Sequence, residues 1–278
     1  MLVVALLLLS LGGVLVLADY YWRARSADLV AHLNGNGGLV SSPTSFSVAQ
    51  IQGLPAPAMR YFRAVLRDGQ PIVRRVRLAQ EGDFLLRPEQ NGWRPFTATQ
   101  YVATQPPGFV WDARIRMAPG LGVRVRDAFV DGTGYMLATL MGLIRLASAA
   151  ATPGIAAGAL HRYLAEVVWC PTALLPSQGV VWTPLDDSSA RATLTVAGTT
   201  VSLDFRFGPD RLVASVFTPH RARDVGGSAV PTPWQGHFFN YGERGGMRIP
   251  LSGEVEWLLS EGPQVYWRGR ITEVSYEY

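Results

Sequence analysis

Four pairs of arginines stand two residues apart in segments that alternate polar and apolar residues: Arg75/Arg77, Arg114/Arg116, Arg124/Arg126 and Arg268/Arg270. Residues two apart in a strand point to one face, so each pair sets two planar, permanently charged forks side by side. That donor set suits phosphate and lipid headgroups. The plainer account is a solvated outer face whose arginines pair across strands with Asp112, Asp127, Glu256 and Glu273. Arg114, Arg116, Arg124 and Arg126 are the candidate ligand-binding cations. Trp234, Trp257 and Trp267 join them, because aromatics crowd the stretch from residue 234 to residue 278 and could line an apolar pocket as well as fill a core.

Other chemistry is sparse. His32, His161, His220 and His237 show no four-residue spacing and no His-Glu-x-x-His run. Glu254 and Glu256 share a face, as two acid–base groups might, yet they flank Val255 in what reads as a solvent-facing strand. The single cysteine, Cys170, follows a helix C-terminus, where the dipole opposes a thiolate, so a buried structural thiol is expected. All 25 basic residues are arginine. With no lysine there is no Walker-type phosphate loop and no Schiff base. No Gly-x-Ser-x-Gly elbow occurs. No cofactor and no metal are expected. A net charge of +4 without a concentrated basic stripe gives no reason to expect nucleic acid.

The elements that must position these residues are mostly strands. From Ile72 the hydrophobic period is two, with runs over Trp93 to Thr104, Phe109 to Met117 and Val123 to Val130, broken by Asn91-Gly92, Pro106-Pro107-Gly108, Pro119-Gly120 and Asp131-Gly132. Such short connections make antiparallel neighbours. Tyr135 to Leu146 reads as one more strand. A helix follows, with Thr152 as N-cap, Pro153 at the first position and a stripe of Leu160, Tyr163, Leu164 and Val167. Arg162 and Glu166 should pair on its outer side, and Pro171 stops it. Strands then resume to the end, with no helix-length crossover among them. An earlier short helix opens at Pro57, with Met59, Phe62, Val65 and Leu66 on one side and Arg60, Arg63 and Arg67 on the other. It reads as a helix packed on the domain or as one lying on anionic lipid.

The N-terminus differs in kind. Leu2 to Ala18 carry no charge, and 17 helical residues span about 26 Å, close to a bilayer core of roughly 30 Å. Tyr20, Tyr21 and Trp22, followed by Arg23 and Arg25, are the residue types found at a membrane interface. Residues 1–22 are therefore expected to form a single-pass transmembrane anchor, with a cleaved secretory signal as the rival, since Val16 and Ala18 would suit a small-residue cleavage rule. The side of the membrane stays open: the positive-inside rule places the domain in the cytoplasm, and further basic residues upstream would reverse it. Gly and Ser over residues 34–42 make 23–52 a tether, leaving 53–278 as one β-rich domain. Up to residue 150, 15 arginines face 9 acidic residues, and beyond it 10 face 12, so the basic half adjoins the anchor.

The phrases Gly53-Leu54-Pro55, Pro107-Gly108-Phe109-Val110-Trp111, Met117-Ala118-Pro119-Gly120, Val230-Pro231-Thr232-Pro233-Trp234 and Gly245-Gly246-Met247-Arg248-Ile249-Pro250 resemble a family of bacterial proteins known only as a domain of unknown function. Tyr241, Gly245-Gly246 and Ile249-Pro250 leading into a strand also resemble a hairpin of the half-barrels that carry lipoproteins across the periplasm. The expected fold is a β-rich α+β domain, a strongly curved, half-barrel-like antiparallel sheet covered by one or two helices and preceded by a transmembrane helix. The expected function is non-catalytic binding of an apolar or amphiphilic envelope ligand, such as a lipid, with membrane lipid as partner. Two other readings stand beside it: an anchored enzyme using His161, His237, Glu254 and Glu256, and a scaffold that binds a partner through its arginine face.

Overall fold

The computed structural model describes residues 2–35, 44–86, 91–149, 151–226 and 228–278, leaving out the side chains of residues 2–5, 7, 8, 11 and 224. The period-two runs become thirteen strands. In chain order they are β1 (Arg75–Leu85), β2 (Trp93–Thr104), β3 (Pro107–Ala118), β4 (Leu121–Val130), β5 (Thr133–Leu140), β6 (Ile144–Ala149), β7 (Val181–Asp186), β8 (Ser189–Val196), β9 (Thr199–Phe207), β10 (Val213–Val225), β11 (Ser228–Arg244), β12 (Met247–Leu259) and β13 (Gly262–Glu277). They form one open sheet in the order β6-β5-β4-β3-β2-β1-β13-β12-β11-β10-β9-β8-β7. Every neighbour is antiparallel, and the two arms, β1–β6 and β7–β13, meet where β1 pairs with β13 in the register Val76↔Tyr276 and Gly82↔Gly269.

Close backbone approach marks the curvature. A Cβ on Gly82 would lie 2.1 Å from the Arg268 carbonyl oxygen, so only glycine fits at that seam. The arms curl far enough for the β4–β5 turn to meet the β8–β9 turn, a Cβ at Gly132 falling 2.4 Å from that of Ala197. The one long link between the edge strands β6 and β7 runs through α3 (Pro153–Glu166) and crosses the concave face, touching β3, β4 and β5 on one arm and β9, β10 and β11 on the other. Its start is as expected: the Thr152 hydroxyl accepts from the Ile155 amide at 3.3 Å, with Pro153 in the first turn. Leu160, Tyr163, Leu164 and Val167 are all buried.

Three expectations change. The run Tyr135 to Leu146 is a hairpin, not one strand, because Met141 and Gly142 both take positive φ, at 56° and 79°, and turn the chain back into β6. The Arg162–Glu166 pair faces the concave interior, because the sheet wraps both flanks of α3 and leaves that helix little outer side. The tether is largely ordered: residues 23–35 continue α1 (Leu2–Gly35) without a break, and in the 44–52 stretch Phe46 and Ile51 are fully buried. Only residues 36–43 of that segment lie outside the described residues.

The second half of α1 lies along the convex face over β2, β3 and β4, with Ala18, Trp22 and Leu33 buried. Among the described residues no helix is long and apolar enough to cross a membrane. Much of the expected 1–22 span rests on side chains outside the description, those of residues 2–5, 7, 8 and 11. The short helix α2 (Ala56–Val65) buries Tyr61, Phe62 and Val65 in the core and ties Arg67 to Glu243 at 2.9 Å; it packs on the domain. Together with Trp182, Phe205 and Phe207 it fills the concave side of the β7–β9 region.

Candidate binding cavity

Between β1–β6 and β11–β13, beside α3, a cavity of about 490 Å³ remains on the concave side. Inward-facing positions of the alternating strands build its walls: Phe84 from β1, Trp111, Ile115 and Met117 from β3, Val123 and Val125 from β4, Met136 and Ala138 from β5, Trp234 and Val255 from β11 and β12, and Trp267 from β13. Charged groups close the α3 end, where Asp127, Arg162, Glu166 and Arg221 line it with Tyr266.

Arg162 is held by two carboxylates. Its Nη1 donates to Asp127 Oδ2 at 2.6 Å and its Nε to Glu166 Oε1 at 2.8 Å, while the guanidinium stacks 4.8 Å from the Trp111 ring and 4.9 Å from that of Phe109. Burial opposes its charge, but the two carboxylates outweigh that and hold the proton more tightly than usual. From Glu166 a chain of hydrogen bonds runs across three strands. Gln100 Nε2 donates to Glu166 Oε2 at 2.6 Å, Gln80 Nε2 to Gln100 Oε1 at 3.1 Å, and Trp111 Nε1 to Gln80 Oε1 at 2.8 Å. Each buried polar group in the chain has its partner, which makes the chain rigid as well as affordable in a low-dielectric interior.

Arg221 differs. Its Nη1 donates to the Tyr266 hydroxyl at 2.9 Å and its Nε to the Gly158 carbonyl at 3.3 Å. It lies over Trp234 at 4.7 Å and near Trp257 at 5.5 Å. Among the described residues it makes no ion pair, so the cavity has a cation held by neutral and aromatic partners alone. Tyr266 Oη also accepts from Trp234 Nε1 at 2.9 Å, and its ring stacks on Trp257 at 5.7 Å. His161 lies on the same side of α3; burial and the nearby Arg221 lower its pKa to about 4.

The candidate residues of the sequence separate onto two faces. Trp234 and Trp267 line the cavity, and Trp257 backs Tyr266 beside it. The four arginines point the other way. Arg114, Arg116 and Arg124 border an open convex trough of about 820 Å³ together with Arg268 and Arg270. Most of its guanidinium groups are already paired: Arg114 and Arg124 with Asp19 of α1, Arg268 with Asp83, and Arg270 with Glu81. Arg126 lies under α1 and is 2% exposed. It donates to the Trp22 carbonyl at 2.6 Å and the Ser26 hydroxyl at 2.8 Å, and stacks 4.1 Å from the Trp22 ring.

Trp22 is therefore withdrawn from any interface, its Nε1 donating to both Asp112 carboxylate oxygens at 3.0 Å. Arg23 pairs with Asp19 at 2.6 Å, Arg25 borders a crevice between α1 and β4–β5, and Tyr20 and Tyr21 are exposed. The enzyme candidates do not converge. His237 Nε2 meets Glu256 Oε1 at 2.9 Å and pairs in register with Glu254 on the convex face, whereas His161 lies on the concave side. Cys170 is buried and its thiol is pushed up to about 12 by burial. Among the described residues no cluster of three or more His, Cys, Asp or Glu could hold a metal.

Sequence reasoning missed Gln80, Gln100 and Arg221; it named Asp127 and Arg162 only as ion-pair partners and included Tyr266 only in the aromatic stretch. Gln80 and Gln100 carried a signal, since each is a polar residue at an inward position of an alternating strand. A family model described as a family of unknown function, DUF6920, matches residues 52–276, and the chain belongs to that family, in line with the resemblance between Gly53 and the C-terminus. Among curated proteins nothing matches. Among solved structures the chain is similar to the LolA superfamily protein NE2245 from Nitrosomonas europaea, with a TM-score of 0.37 and 10% identity over 80% of this chain and 94% of that one.

Proposed function

We propose that this member of a family of unknown function binds an amphiphilic envelope ligand, a lipid or similar molecule, in its concave cavity and holds it without chemical change. The observation that carries the reading is the cavity itself: about 490 Å³, walled by aromatic and aliphatic side chains and closed at one end by charge. That volume falls within the roughly 300–1,000 Å³ of small-molecule sites. Arg221 suggests the polarity of the ligand, because a cation without an ion pair among the described residues, beside a tyrosine hydroxyl, suits a carboxylate or phosphate head. The apolar walls then take the chain. The same reading gives the N-terminal half of α1 to a membrane, supported by the exposed Leu6, Leu9, Val14, Val16 and Leu17.

Native mass spectrometry of the gently purified full chain tests it. A bound mass that organic extraction recovers as an intact amphiphile is expected, and Ala138→Trp, which fills the cavity, should remove that mass. Arg221→Leu should weaken binding of an anionic amphiphile about tenfold or more, the scale of one charge-assisted contact, while binding of a neutral long-chain alcohol changes little. A ligand-free protein that also fails to take up either probe would overturn the reading.

A further inference from the structure

The hairpin turns β3–β4, β5–β6 and β12–β13 lie at one end of the sheet, as the pairings Ala118↔Leu121, Leu140↔Ile144 and Leu259↔Gly262 require. Large apolar side chains are exposed there: Leu121 at 42%, Leu143 at 47%, Ile144 at 61% and Leu146 at 54%. Exposed apolar clusters of this kind mark contact surfaces. Arg116 and Arg145 stand among them, exposed and, among the described residues, without an ion pair; Glu261 sits on the β12–β13 turn. The cavity reaches the same end, where Leu146 and Met117 line it.

The course of α1 points to the same surface. Leu33 packs by Gly108 at the opposite end of the sheet, and the Asn34 carbonyl accepts from Arg75 Nη2 at 3.0 Å. Ala18 reaches the β5–β6 turn, its carbonyl oxygen 3.5 Å from where a Cβ of Gly142 would stand. The helix thus runs the length of the sheet and then leaves it at the exposed hairpins. Its apolar residues before Ala18 continue beyond them, by roughly 1.5 Å per residue.

We infer that this end of the sheet rests on the bilayer surface, with Leu121, Leu143, Ile144 and Leu146 in the interface, Arg116 and Arg145 on anionic headgroups, and the cavity exchanging its amphiphile directly with the membrane. The exchange rests on the cavity reading; the placement rests on the exposed hairpins and the course of α1. Apolar side chains beside exposed arginines are the combination that binds an anionic interface, and a protein partner would not explain why the apolar end of α1 emerges at the same place.

The test uses the full chain in vesicles of equal parts phosphatidylcholine and phosphatidylglycerol. Buried Cys170 resists labelling, so Ile144→Cys or Leu121→Cys accepts a single fluorophore, as does Val48→Cys at the opposite end. Nitroxide-bearing lipid should quench the label at 144 and 121 and leave the label at 48 unquenched. Leu143→Asp/Ile144→Asp should slow transfer of a fluorescent anionic amphiphile from vesicle to protein about tenfold, while the same amphiphile supplied free in solution still binds with near wild-type affinity. Equal quenching at 144 and 48, or normal vesicle transfer by the double variant, would overturn the inference with the cavity reading intact. Self-quenching of the 144 label without vesicles would assign the surface to a second copy and overturn it too. If free amphiphile does not bind wild-type protein, the cavity reading fails, and the quenching pattern still decides the placement.

Discussion

His161 and Arg162 are neighbours on α3, yet the structure treats their charges in opposite ways. Arg162 keeps its proton because Asp127 and Glu166 flank it, and replacing it would strand two carboxylates at a cost of several kcal/mol. His161 has the Ala157 carbonyl on Nδ1 at 2.9 Å, so that nitrogen carries the proton of a neutral ring, and Arg221 repels a second one. Its pKa falls to about 4 in the folded chain against about 6.5 when unfolded. Between those values the unfolded state binds more protons, so the contribution of His161 is complete above about pH 6.5 and is lost as pH falls toward 4, by as much as roughly 3 kcal/mol. Urea unfolding at pH 7.5 and 4.5 should show a fall in midpoint for the wild type and a clearly smaller one for His161→Leu. An equal fall in both would mean that other groups carry it.

At the scale of elements, α1 shows how a charge pattern can be seen in a sequence and still misassigned. The i, i+2 spacing placed Arg114/Arg116 and Arg124/Arg126 correctly on one face, because strand alternation is a local property. What the face meets is not local: its partner, Asp19, lies about a hundred residues away in a helix whose second half read as tether. Arg126→Ala should release that half of α1, leaving the Trp22 carbonyl and Asp112 without their arrangement and costing about 2–4 kcal/mol. Limited proteolysis should then cut at Arg23 or Arg25 well before the sheet unfolds, whereas the wild type resists there. The strands were legible for the same reason as the face, and the Tyr135–Leu146 run failed only where Met141 and Gly142 turn the chain. Of the cavity, Trp234 and Trp267 were legible as an aromatic cluster. Arg162 was legible as half of an i, i+4 pair but not as a cavity group, since such a pair looks the same whether the face is wet or wrapped by a curled sheet, and Arg221 gave no local signal, because its partners Tyr266 and Gly158 lie far off in the chain.

At the scale of the molecule, the two arms are joined by backbone pairing at one seam, β1 with β13, and braced by α3 across the concave side. A chain ended after Glu261 keeps both arms but bares the edges of β1 and β12, and bare edges of that length pair with other chains. Size-exclusion chromatography should find it aggregated and urea should find no cooperative transition; a monomer that unfolds cooperatively would show that the arms cohere through α3 alone. The position of that seam also sets a schedule for biosynthesis. β1 is the first strand made, and its partner β13 is the thirteenth. At roughly 5–20 residues per second, roughly 180 intervening residues take on the order of 10–35 s to synthesise. For that interval the nascent β1–β6 arm carries an unpaired edge and a half-built apolar cavity wall, so a ribosome-associated holdase should recognise this chain by its strand order rather than by any one peptide within it.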